Sequence, residues 1–334
     1  MKCQESSIVG VKLRCLCLVY NIHTDYSIRF LPTPTLDLDW LAANVSIMVA
    51  IKLSHNLHVP MYFFLCSLSF SETCTAMGII PRMLADLLSE TKMISLPECA
   101  TQMFFFFGLG ANNCFILAAM SYDRYIAIHN PLRYHILMTR ESSFQMMMAS
   151  FVTGILVSLC IVNIVFNLSF CDSHIIQHFF CDITPVVSLA CDYTFLQKMA
   201  LLALTAFVLM GSFFFIMISY VFILSVVVKM TSAKGQYRAF STCFSHLTVV
   251  CIHYGFACFV YLRPKNNDSF GEDMLIALTY TVLTPMLNPI VYSLRNKEMQ
   301  VALRKVIDKV SSFIHYSVNK RLEPLRNISS FDKC

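Results

Sequence analysis

The feature that most constrains this chain is a long apolar run that stops on an adjacent acid and base. Met103-Phe104-Phe105-Phe106-Phe107-Gly108-Leu109-Gly110 lies within it, and Met120-Ser121-Tyr122-Asp123-Arg124-Tyr125-Ile126-Ala127-Ile128 ends it. The run is long enough to cross a bilayer, which takes about 20 mainly apolar residues as a helix. At the bilayer centre each charge would cost about 2.5–3.5 kcal/mol on insertion scales. Asp123 and Arg124 therefore mark an aqueous boundary, and the other spans are counted from it.

The same grammar recurs along the chain. Charged residues make up 13% of the 334 and hydrophobic ones 57%, whereas a soluble domain carries about 25% charged residues. Spanning runs lie at Trp40 to Leu53, Pro60 to Leu84, Cys99 to Ile128, Phe144 to Phe166, Leu196 to Val228, Phe240 to Leu262 and Met274 to Leu294. The expected fold is an all-α membrane protein: a seven-transmembrane helix bundle followed by a short amphipathic helix. Residues 1–39 read as an atypical extracellular segment, 40–295 as the seven-helix domain, and 296–334 as a cytoplasmic helix and tail.

The first run is the weakest. Trp40 to Leu53 gives about 21 Å of helix against a hydrocarbon core of about 30 Å. Extending it backward meets Asp39, Asp37, Pro34 and Pro32, which do not suit a lipid-facing helix. Either the helix is short, or the residues before Trp40 are foreign to the fold.

Orientation follows from Lys and Arg in short loops. Arg124, Arg133 and Arg140, then Lys229, Lys234 and Arg238, then Arg295, Lys297, Arg304 and Lys305 share one side. Asp86, Glu90, Glu98, Asp172, Asp182, Asp192, Asp268, Glu272 and Asp273 lie on the other. The amino end is expected outside the plasma membrane and the carboxyl end in the cytosol. The net charge of +5 is read as this bias and not as a nucleic-acid surface. In the tail, Met299, Leu303, Val306, Ile307 and Val310 fall at helical spacing among Arg304, Lys305 and Lys309, the pattern of a helix lying on the inner leaflet.

Cys99, Cys171, Cys181 and Cys191 fall on the outer side, in an oxidising compartment. Spacing leaves their three pairings open. His174, His178, Cys181 and Asp182 resemble a metal-ligand cluster but are read as a structural loop, with no metal. Asn267-Asp268-Ser269 is an outer glycosylation sequon, and Asn167-Leu168-Ser169 is another that hugs the membrane. No inverted repeat supports a transporter. No span carries paired catalytic carboxylates, a nucleophile motif or a metal triad, so no catalytic residues and no enzyme are expected.

Several stretches together resemble a known family. Met120 to Ile128 followed by Asn130-Pro131-Leu132-Arg133-Tyr134 is similar to the third-span signature of olfactory receptors of the class II type, a branch of the rhodopsin-like G-protein-coupled receptors. Leu57-His58-Val59-Pro60-Met61-Tyr62, Arg238-Ala239-Phe240-Ser241-Thr242-Cys243, and Pro285-Met286-Leu287-Asn288-Pro289-Ile290-Val291-Tyr292 match its second, sixth and seventh spans. The likeness runs from about Ala43 to Lys305. Ser121, His129, Glu72 and Arg238 depart from the commoner residues, and the stretch before Ala42 is not recognisable.

The resemblance implies an odorant-activated receptor in the sense of smell, coupled to a stimulatory heterotrimeric G protein and cyclic AMP. Its partners would be a small volatile odorant, the G protein and the lipid bilayer. It pairs Cys99 with Cys181 and Cys171 with Cys191. It makes Asp123, Arg124, Tyr125, Tyr220, Asn288, Pro289 and Tyr292 the G-protein switch, with Asp123 holding Arg124 and Tyr220 meeting Tyr292. It places Asn44 and Glu72 in a polar core with Asn288; no cofactor is expected beyond a sodium ion or water near Glu72. The ligand pocket is expected in the outer half, at Phe106, Phe107, Gly110, Ala111, Phe207, Tyr254, Cys258, Tyr261 and Thr281. The competing expectation is a receptor-derived chain whose defective first span stops it from trafficking or signalling; a transporter is a further alternative.

Overall fold

In a computed structural model the apolar runs are helices. The structure describes residues 7–8, 11–12, 15–18, 34–88, 93–171, 175–176, 178–261, 279–281, 284, 287, 291, 297–309 and 311–312. The long helices are α1 (Pro34–Leu53), α2 (Pro60–Leu88), α3 (Leu96–His129) and α5 (Arg140–Phe166). After them, α7 (Phe195–Ala206), a π-helical turn (Phe207–Gly211) and α8 (Ser212–Val227) form one continuous span, and α9 (Ala233–Tyr261) follows. Short helices α4 (Tyr134–Leu137) and α6 (Ile183–Val187) sit in the connections.

The helix starts follow from local chemistry. Ser95 caps α3 by accepting from the Glu98 amide at 3.3 Å while Glu98 Oε2 accepts from the Ser95 amide at 2.9 Å. Two of the backbone groups that a helix end leaves unpaired are thereby satisfied. Thr194 and Gln197 make the same box at α7, and Thr139 caps α5.

The first helix corrects the sequence reading. It begins at Pro34 rather than Trp40 and has 20 residues, about 30 Å by the helical rise. Proline suits the first turn because its missing N–H would be unpaired there anyway. Asp37 and Asp39 are the fourth and sixth residues of this helix. Pro34, Asp37 and Asp39, which looked foreign to a lipid-facing span, belong to this helix, and Pro32 lies outside the described residues.

Five spans among the described residues are long and apolar enough to cross a membrane: Pro60–Asp86, Leu96–His129, Arg140–Phe166, Phe195–Val227 and Ala233–Tyr261. The described residues of the seventh run, 279–281, 284, 287 and 291, are all helical. Residues 297–309 form the tail helix, with Met299, Ala302 and Val306 buried and Lys305 and Lys309 exposed. Ile307, assigned to the apolar face from sequence, points outward.

α3 is the most enclosed of these spans and packs against α2, α5, α8 and α9. Its closest approach is to α5. A Cβ added at Gly154 would lie 2.4 Å from the Gly108 carbonyl oxygen, so only glycine fits. One turn away Ser158 Oγ donates to the Phe104 carbonyl at 2.6 Å. Small residues that let two backbones meet are a usual device of helices in lipid. Phe214, Phe215, Val221 and Phe222 on α8 stay exposed, as lipid-facing side chains are.

The all-helical expectation needs one addition. Strands β1 (Ser7–Ile8) and β2 (Val11–Lys12) pair antiparallel. β3 (Cys15–Leu18) lies between β4 (Met93–Ser95), antiparallel, and β5 (Ile175–Ile176), parallel. The amino-terminal backbone is thus stitched to the loops at the end of the bundle where α3 begins.

Candidate functional site

Two constellations stand at opposite ends of α3. Near its start is a cavity with about 750 Å³ of empty space, its opening to solvent included. Its walls are Phe106, Phe107, Gly110, Ala111, Asn113 and Cys114 of α3, Val157 and Ile161 of α5, Leu204 and Thr205 of α7, Val208 and Leu209 of the π turn, and Ala257 and Tyr261 of α9. Glu72 and Thr75 of α2, with Tyr280, Thr281 and Thr284, complete it. The walls are mostly apolar, with hydroxyls, one amide and one carboxyl among them.

The loop after α5 packs against this end. A disulfide joins Cys99 to Cys181, with Cα atoms 5.5 Å apart. Gln102 Oε1 accepts from the Cys181 amide at 2.9 Å, and Phe180 packs on Phe106 with ring centroids 4.9 Å apart. His178, read from the sequence as part of a structural loop, is buried against Phe179 and Phe180. A second disulfide joins Cys171 to Cys191. Beside it Asp192 accepts from the Ser169 amide and hydroxyl, each at 2.8 Å, which holds its carboxyl below the usual range.

On the α2 side of the cavity, Asn113 Nδ2 donates to Glu72 Oε1 at 3.1 Å. Glu72 is 4% exposed and Asn44 is fully buried; Asn288, the third member expected here, lies outside the described residues. The sodium ion expected near Glu72 would share the carboxyl with this amide.

The other end of α3 holds a different cluster. Asp123 is 1% exposed, and its Oδ1 accepts from the Tyr134 hydroxyl at 2.8 Å. Burial and that neighbouring carboxylate push the Tyr134 phenol above its ordinary range. The expected Asp123–Arg124 ion pair is absent among the described residues. Consecutive helical residues point in different directions, so Asp123 turns inward to the loop and Arg124 does not follow it. Tyr125 lies between His129 and Phe222. The Tyr220 hydroxyl bonds His246 Nδ1 at 2.8 Å, and His246 Nε2 meets the Leu117 carbonyl at 3.1 Å. Since a carbonyl only accepts, Nε2 carries the proton and Tyr220 donates to Nδ1. Asn288, Pro289 and Tyr292 lie outside the described residues.

The family comparison decides what this bundle is. The olfactory receptor family profile matches residues 36–309. This chain belongs to the olfactory receptor family. Human olfactory receptor 10Z1 is 55% identical to it over 264 residues, covering 79% of this chain and 84% of that protein. Human olfactory receptor 10T2 is 48% identical over 267 residues, 80% of this chain and 85% of that one. Mouse olfactory receptor 10J5 is 47% identical over 272 residues, 81% and 88%. The family is one of G-protein-coupled membrane receptors and not of enzymes, and the matched region takes in most of α1.

Of the pocket residues named from sequence, Phe106, Phe107, Gly110, Ala111, Tyr261 and Thr281 line this receptor's cavity. Phe207, Tyr254 and Cys258 do not. Phe207 opens the π turn and points outward, 56% exposed, while Val208 and Leu209 face in. The extra residue in that turn shifts the helical phase, which no apolar pattern announces. The Tyr254 hydroxyl lies 2.6 Å from Ser212 Oγ, behind the wall. Sequence reasoning missed Asn113 and Thr284, polar residues inside apolar runs, the signal by which Glu72 was noticed. Asn167 is exposed, but its Nδ2 donates to Asn163; Asn267 lies outside the described residues.

Proposed function

We propose that this receptor is activated by small volatile odorants bound in the cavity near the start of α3, and that its Asp123–Arg124 end then engages a stimulatory heterotrimeric G protein and raises cyclic AMP. The receptor sits in the plasma membrane with its amino end and the Cys181 loop outside and its carboxyl end in the cytosol, in keeping with the Lys and Arg distribution. One observation carries the reading: a largely apolar cavity and a buried polar cluster lie at opposite ends of a single helix, α3, that is long and apolar enough to cross a membrane. A guest that tightens one end biases the packing at the other. Arg124, at the cytosolic end of α3, is the G-protein contact. Tyr125 and Tyr220 belong to the same end of the bundle, and Asn288, Pro289 and Tyr292 supply the kink and latch of the seventh span. Asn267 carries glycan, and Asn167 is a poorer acceptor.

The test is a cyclic-AMP reporter in cells, screened with odorant mixtures. Arg124→Ala is expected to abolish the response at unchanged surface level. An undiminished response would overturn the switch.

A further inference from the structure

We infer that the cleft between the α1–α2 connection and the tail helix binds an anionic phospholipid, with its headgroup on Lys297, Lys305 and Lys309 and its acyl chains beside Leu53 and Val301. This rests on the proposed orientation, which puts the tail at the anionic cytosolic leaflet. It adds a lipid site apart from the odorant cavity.

The cleft follows from how the tail helix is anchored. Met299, Ala302 and Val306 recur every three or four residues and are buried in the same core cluster as Leu57. That face holds the helix against the bundle. The face beside it is left open. Opposite stand Leu53, the last residue of α1, and the short turn His55–Leu57 that leads to α2. Between them lies a cleft with about 1560 Å³ of empty space, its opening to solvent included.

Two kinds of side chain line it. Leu53 and Val301 are 55% and 54% exposed. Large apolar side chains on a helix at the membrane boundary are covered by acyl chains. Lys297, Lys305 and Lys309 line the same cleft and follow one another at eight and four residues, so they share a helix face. Lysine lays its stem along apolar surface and keeps its ammonium in the headgroup layer.

Charge sets the sign of the guest. The acids of the cleft are Glu298 and Asp308, and Glu298 Oε2 accepts from the Tyr62 hydroxyl of α2 at 3.4 Å. Lys52 and Arg304 are exposed and adjoin Leu53 and Lys305 in sequence, which brings the bases to five against two acids. None of the five makes an ion pair among the described residues. A soluble anion would answer the lysines and leave Leu53 and Val301 bare. A zwitterionic lipid would cover the apolar pair and bring its own cation toward the lysines. An anionic phospholipid meets both demands, and each lysine near such a headgroup adds to the attraction.

The experiment uses the full-length receptor purified in a neutral detergent, with native mass spectrometry reading the lipids bound. The probes are phosphatidylinositol bisphosphate, phosphatidylcholine with the same acyl chains, and inositol trisphosphate, which has the phosphates without the chains. Phosphatidylinositol bisphosphate is expected to bind about 25-fold or more tighter than phosphatidylcholine, the effect of at least two lysines at about 5-fold each. Lys305→Gln combined with Lys309→Gln should cut that preference below about 5-fold. Lys305→Arg combined with Lys309→Arg keeps the charge and should retain it. Lys198→Gln, at an exposed lysine of α7 outside the cleft, should leave it unchanged. Equal binding of the two lipids, an unchanged preference in the glutamine pair, or inositol trisphosphate bound as tightly as the lipid would overturn the inference. A lipid preference that maps to these lysines in a receptor with no odorant response would leave the inference standing and sink the signalling reading. An odorant response from a receptor indifferent to lipid charge would do the reverse. The preference intact, with a carboxyl-terminal epitope stained from outside unbroken cells, would sink the orientation alone.

Discussion

The Tyr134 hydroxyl donates to Asp123 Oδ1 at 2.8 Å, and so ties the connection after α3 to the end of α3 itself. Asp123 is nearly fully buried, and this is the bond that takes it out of solvent. Tyr134→Phe keeps the ring and removes the donor. A buried acceptor left without its partner costs about 1–3 kcal/mol. The purified variant should melt at lower temperature than the parent, and a melting curve checks this. An unchanged melting temperature would mean that water or another donor replaces the tyrosine at no cost.

His246 is the second tie at this end, and it joins three helices. It bonds Tyr220 of α8 and the Leu117 carbonyl of α3 while standing on α9. If signalling needs α9 to move away from α3, each bond opposes the move by about 0.5–1.5 kcal/mol. His246→Leu removes both bonds and should raise basal cyclic AMP roughly 2- to 10-fold per bond. Tyr220→Phe removes one and should fall between the variant and the parent. Basal signal normalised to surface receptor is the measurement.

Much of this fold is legible in the residues alone, because a membrane makes strict demands on sequence. Helix after helix starts or stops within a few residues of its apolar run, although α3 continues past Asp123 to His129. The cavity's α3 wall is legible too, since Phe106, Phe107, Gly110 and Ala111 follow helical periodicity. What escapes is phase and partnership. The π turn rotates Phe207 out and Val208 in without any mark in the residue pattern. The partner of Asp123 is eleven residues on, and the partner of Glu72 is Asn113, on another helix. Such contacts depend on how helices pack, which a one-dimensional pattern does not carry. The start of α1 escapes for the opposite reason: a proline such as Pro34, read as a breaker, is a helix opener when it comes first.

The approach of Gly154 to Gly108 makes a sharp packing test. Gly154→Ala places a methyl 2.4 Å from the Gly108 carbonyl oxygen and 3.1 Å from the Asn112 amide nitrogen. Both obstacles are backbone, so α3 and α5 must part. Overpacking of this kind costs about 1–3 kcal/mol, and the Ser158 bond to Phe104 one turn away should weaken with it. Surface delivery should drop clearly below the parent. Gly255→Ala, where nothing lies within 4 Å of the added methyl, is the control and should reach the surface normally.

The Asp192 clasp predicts a pH dependence confined to the loop. Asp192 accepts two bonds from Ser169 beside the Cys171–Cys191 disulfide, so its carboxyl is held below its ordinary value. A folded value below the unfolded one means that the clasp contributes fully above the unfolded value of about 3.9 and is lost as pH falls through the lower folded value. The charge is solvent-exposed, so the effect is local. Pepsin cleavage of this loop should accelerate relative to a fixed reference peptide as pH drops from about 4 toward 2. Asp192→Asn cannot titrate, so its relative cleavage should stay flat over the same interval. A parent whose relative cleavage is equally flat would show that the disulfide alone holds the loop.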